Sequence, residues 1–92
     1  MKKAEEKLIE MLKVAGLPKK PSYNPGEVCL VLGISDRTFW RLTNNYEIDP
    51  DTGRPLRPYC LDSYTLARSR RVRFNELIDF LTRNNTYERV NG

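Results

Sequence analysis

Histidine is absent from these 92 residues, and cysteine occurs only twice, as Cys29 and Cys60. Without histidine the chain lacks the side chain that most often serves as general base and metal ligand near neutral pH. The two thiols stand 31 positions apart with no second pair to complete a tetrahedral site, so a structural zinc centre is not expected. A disulfide is disfavoured; Cys29 reads as a small buried hydrophobe and Cys60 as partly exposed. Long apolar runs are missing too, none approaching the ~20 residues of a membrane span. The opening MKKAEEKLIEML is too acidic and too interrupted by charge for a secretory signal, and a cytoplasmic protein is the expectation. A chain this short makes one small core with little room for a catalytic cleft. An enzyme, a cofactor and a bound metal are all unexpected.

The best-written stretch is residues 24–42, NPGEVCLVLGISDRTFWRL. Asn24 suits a helix N-cap, Pro25 the first helical position, and Glu27 completes a capping box that satisfies otherwise orphaned amide donors. Val28, Cys29 and Leu32 fall on one face; Gly33 supplies a tight turn, and Ile34 points back inward. Ser35 caps a second helix whose inner stripe is Thr38, Phe39 and Leu42. That leaves Asp36, Arg37, Trp40, Arg41 and Asn44 on the outer face. The spacing predicts a helix-turn-helix, and its outer stripe is what a major groove would meet.

Charge is more informative in its distribution than in the net +4. Residues 1–22 carry six lysines against three glutamates, whereas residues 59–74 carry four arginines against one aspartate. A basic segment beside a helix-turn-helix is the electrostatic signature of phosphate binding. The lysines at the start are equally accounted for as a solvated surface.

Elsewhere, Ala4, Leu8, Met11, Leu12 and Ala15 mark an amphipathic helix over 4–15, stopped by Gly16, Leu17 and Pro18. It either packs on the domain as an added cap or mediates self-association. Residues 19–22 read as a basic linker, making 1–22 a helix and linker, 23–85 the domain proper and 86–92 a tail. Residues 46–58 hold Pro50, Gly53, Pro55 and Pro58, turn chemistry without helical or strand periodicity. Arg54 and Arg57 there are either phosphate contacts or simply solvated. From Tyr59 to Phe74 the pattern alternates: Tyr64 and Leu66 share a face, residues 67–70 turn, and Val72 and Phe74 face inward while Arg71 and Arg73 take the other side. Asn75 is placed to cap a last helix over 76–83, with Leu77, Ile78 and Leu81 inward and Phe80 at the edge. The expected core joins Leu32, Ile34, Phe39, Leu42, Phe74, Ile78 and Leu81.

The run YNPGEVCLVLGISDRTFWRL resembles the first half of the excisionase-type and MerR-like winged helix-turn-helix families. Glu27, Leu32, Gly33, Ile34, Ser35, Thr38, Phe39, Trp40, Arg41 and Leu42 occupy the family's pattern positions; Cys29 stands where alanine is usual. SRRVRFNELIDFL is similar to the same families' transition from basic wing strand to helix. The 46–58 loop is longer than the connection in the simplest relatives. The resemblance implies a mainly α fold with a small β-hairpin wing and an extra N-terminal helix. With no long dimerising helix after the wing and no effector domain, the expectation falls on the small excisionase-like branch.

Two functions follow as expectations. One is sequence-selective binding of double-stranded DNA by a small transcription regulator or excisionase-like accessory factor. Arg37, Trp40, Arg41 and Asn44 would lie in the major groove, and Arg68, Arg70, Arg71 and Arg73 on the backbone or in the minor groove. Another copy of the chain, a recombinase or a transcription partner would complete such an assembly, with no membrane involved. The other is a protein-interaction module that keeps the fold without specific DNA binding. Trp40 serves either, as a groove contact or an interface anchor, and equally suits packing beneath the long loop.

Overall fold

The computed structural model describes residues 2–84, so the 86–92 tail lies outside the described residues. Helix α1 (Lys2–Ala15) buries Ala4, Leu8 and Leu12, with Met11 and Ala15 packed beside them. It ends as a glycine stop should. Gly16 takes φ +75° and its N–H reaches the Lys13 carbonyl, while the Leu17 N–H reaches that of Leu12, satisfying carbonyls the last turn would orphan. The helix packs against the helical segments Pro25–Leu32 and Phe74–Asn84, adding its stripe to the common core.

The following segment is more than a linker. Ser22 and Tyr23 form a short strand, β1 (Ser22–Tyr23), that pairs antiparallel with a strand 49 positions later. Tyr23 is fully buried, its hydroxyl donating to the Pro18 carbonyl and accepting from the Lys20 N–H, both at 2.8 Å. Two residues cannot display a periodicity, which is why sequence spacing does not disclose this strand.

Helices α2 (Pro25–Leu32) and α3 (Asp36–Asn44) begin at the expected caps, Asn24 and Ser35, and α2 stops at Gly33. Glu27 N–H donates to Asn24 Oδ1 at 2.8 Å, and Asn24 N–H donates to Glu27 Oε1 at 3.0 Å, completing the capping box. Gly33 adopts φ +68° at the C-terminus of α2, and Ser35 Oγ accepts the Thr38 N–H at the start of α3. The deepest residues are Val28, Val31, Phe39 and Leu42. Cys29, Leu32 and Ile34 are half-buried against them, so the inner face of α2 centres on Val28 and Val31 rather than on Val28, Cys29 and Leu32.

Residues 46–58 fold back on themselves through an Ile48–Pro55 bridge, with Gly53 at φ +71°. Asp49 N–H donates to the Arg54 carbonyl and Leu56 N–H to that of Glu47. The chain then returns to the core. Leu61 N–H donates to the Leu42 carbonyl at 3.1 Å, which draws Cys60 and Leu61 into full burial. The expectation of a partly exposed Cys60 is therefore corrected; its thiol donates to the Arg57 carbonyl, and both cysteines are free.

Strands β2 (Tyr64–Leu66) and β3 (Ser69–Arg73) form a hairpin. Its two-residue turn places Ala67 at φ +50° and Arg68 at φ +71°, the left-handed geometry that matches strand twist. The sheet is antiparallel in order β1-β3-β2. Helix α4 (Phe74–Asn84) follows β3 without an intervening residue, its Phe74 N–H bonded to the Pro21 carbonyl. Asn75 thus sits inside the first turn and does not cap it. Phe74, Leu77, Phe80 and Leu81 are buried, and Ile78 is half-buried. The result is a mainly α fold with a small antiparallel sheet. Among the described residues no helix is long and apolar enough to cross a membrane.

Candidate nucleic-acid interface

Burial of Phe39 and Leu42 on one side of α3 turns Arg37, Trp40, Arg41 and Asn44 to solvent, as the 3.6-residue period requires. Asp36 is also exposed, at the first turn, where a carboxylate favours the positive end of the helix. It accepts a weak bond from the Cys29 thiol at 3.6 Å. Burial, together with Asp36 beside it, pushes that thiol above its ordinary pKa of 9.0 and keeps it in the unreactive protonated form.

The four hairpin arginines do not form one patch, because alternate residues of a strand point to opposite faces. Val72 is buried opposite Tyr23, so Arg70 shares the core-facing side while Arg71 and Arg73 take the other. Arg70 reaches α3: its guanidinium carbon lies over the Trp40 ring, 5.7 Å from the centroid, and its Nη1 donates to Ser63 Oγ at 3.2 Å. Trp40 also meets Phe39 edge-on, with centroids 5.1 Å apart. The indole is therefore packed by Phe39 and Arg70, while 40% of Trp40 stays exposed.

Arg71 turns instead to β1, donating to the hydroxyl and the carbonyl of Ser22. Its charge also acts on Glu27, whose partner Lys20 sits at 2.6 Å. Burial pushes the Glu27 carboxyl up, but the Lys20 hydrogen bond, the Asn24 amide and the two positive charges together hold it below 4.5. Arg73 is exposed and covers the Tyr64 ring at 4.2 Å. Arg68 projects from the turn itself and is exposed. Arg57 has a structural partner, donating to the Asn45 carbonyl and pairing with Glu47, while Arg54 is exposed.

The structure thus brings Arg37, Trp40, Arg41 and Asn44 onto one exposed surface bordered by the half-buried Arg70, with Arg68 at the hairpin tip, and sets Arg71 and Arg73 apart. Spacing along the chain does not reveal the contacts to Ser22, Ser63 and Tyr64, since Arg71 and Ser22 are 49 positions apart. Among the described residues no cluster of three or more potential metal ligands occurs. A concavity of about 650 Å³ between the 46–58 loop and α4 shares no residue with this surface. No protein-family model matches the sequence, and neither a curated protein nor a solved structure matches it.

Proposed function

We propose that α2, α3 and the β2–β3 hairpin are a winged helix-turn-helix of the excisionase-type or MerR-like kind that binds duplex DNA sequence-selectively. Helix α3 enters the major groove, and the hairpin lies along the backbone or minor groove. The Trp40–Arg70 contact carries this reading, because it joins the exposed stripe of α3 to the hairpin in one surface rich in guanidinium groups. Arg37 and Arg41 are placed to read base edges, Asn44 and Trp40 to fill the groove beside them, and Arg68 and Arg70 to meet phosphate. Arg73 contributes charge from the opposite face of the sheet, and Arg71 acts through the structure. The biological role is that of a small transcription regulator or a recombination accessory factor.

A second reading, a protein-interaction module on the same fold, draws support from Val14 and Leu30, which stand 91% and 64% exposed on α1 and α2. Selection of bound sequences from a random duplex library, followed by mobility-shift titration, separates the two. Enrichment of a defined duplex supports DNA recognition. Recovery of unselected sequence, with only weak salt-sensitive binding, moves the assignment to protein interaction.

A further inference from the structure

Tryptophan is normally well buried, yet Trp40 lies 40% exposed in the middle of a stripe otherwise made of Arg37, Arg41 and Asn44. Its ring is held. Phe39 meets it at an interplanar angle of 83°, and the Arg70 guanidinium lies over its face. These contacts present a fixed apolar surface where its neighbours present hydrogen-bond donors. In a major groove the chief apolar feature of the base edges is the C5-methyl group of thymine. Resting on the DNA-binding reading above, we propose that Trp40 is a specificity-determining residue that packs on the methyl group of a thymine facing the middle of α3. The preferred duplex then carries thymine at that position, and uracil, which differs only by the missing methyl, is bound less well.

The probe is a duplex enriched from a random library by the wild-type protein, resynthesised with each thymine replaced in turn by uracil. Burial of one methyl-sized group corresponds to roughly fourfold in affinity, so one such replacement weakens wild-type binding by about three- to fivefold. Trp40→Ala binds the thymine and uracil versions equally, while its circular dichroism melt reports that it is folded. The wild-type series needs no variant. Wild-type indifference to every uracil replacement overturns the inference, as does undiminished uracil sensitivity in Trp40→Ala. An enriched but uracil-indifferent duplex removes this inference alone, whereas a library from which nothing is enriched removes the DNA-binding reading and this inference with it.

Discussion

Arg71 donates two hydrogen bonds to Ser22, at 3.1 Å to its hydroxyl and 3.3 Å to its carbonyl, and so ties the hairpin to the strand that begins the sheet's other edge. Half-buried charge-assisted bonds of this kind contribute more to folding than surface arginines do. Arg71→Ala is expected to cost about 1 to 2 kcal/mol of stability, read as a lower urea midpoint. A midpoint equal to wild type would show that the Ser22 bonds are no better than water.

Arg68 behaves oppositely. It is exposed at φ +71°, a backbone conformation that suits glycine, so Arg68→Gly removes the charge without straining the turn. Stability should be unchanged or slightly raised. If the tip touches one phosphate, the slope of log K against log salt falls in magnitude by about 0.9, on preferred and random duplexes alike. An unaltered slope would remove Arg68 from the interface.

Phe39 and Trp40 are neighbours in sequence and meet edge-on, yet Phe39 is fully buried while Trp40 is 40% exposed. Phe39→Ala opens a cavity in the core and is expected to cost on the order of 3 to 5 kcal/mol, a large part of what a domain this size has to lose. Trp40→Ala removes only a half-exposed ring and should shift the melting temperature far less. Comparable losses in the two variants would mean that Trp40 is part of the core.

Two carboxylates give the pH dependence opposite signs. Glu27 has a pKa held below 4.5 in the folded protein, so its contribution is present above 4.5 and is lost as pH falls through and below that value. Burial raises Glu76 above 4.5 despite the Arg83 guanidinium 2.9 Å away, so folding weakens as pH rises from 4.5 through the raised value. Denaturant melts across this range should show Glu27→Gln flattening the loss of stability on the acid side and Glu76→Gln flattening the decline above 4.5. If both variants keep the wild-type profile, neither carboxylate is linked to folding.

The bounds of α2 and α3 were legible because their signals are local. Asn24, Glu27 and Ser35 bond backbone groups within three residues, and Gly33 needs no distant partner for its left-handed turn. The outward placement of Arg37, Trp40, Arg41 and Asn44 followed from the same periodicity. What remained hidden depends on distant pairing. Strand β1 exists because Arg73 and Val72 lie beside Ser22 and Tyr23, and Cys60 is buried because its neighbour Leu61 bonds to Leu42. Alternation alone put Arg71 on the sheet's outer face, but Ser22 occupies it there, and Arg70 turns toward Trp40 instead.

The most direct test of the proposed DNA recognition by α3 is the affinity of wild type and Arg37→Ala for a library-selected duplex and for a shuffled one at a single salt concentration. Arg37 is exposed on the outer face of α3, and the proposed function gives it a bidentate base contact. The account predicts that Arg37→Ala loses about 1 to 3 kcal/mol on the selected duplex, relaxes the preference at one base position and changes little on the shuffled one. Equal weakening on both duplexes, or no weakening on either, would contradict the claim that α3 reads sequence.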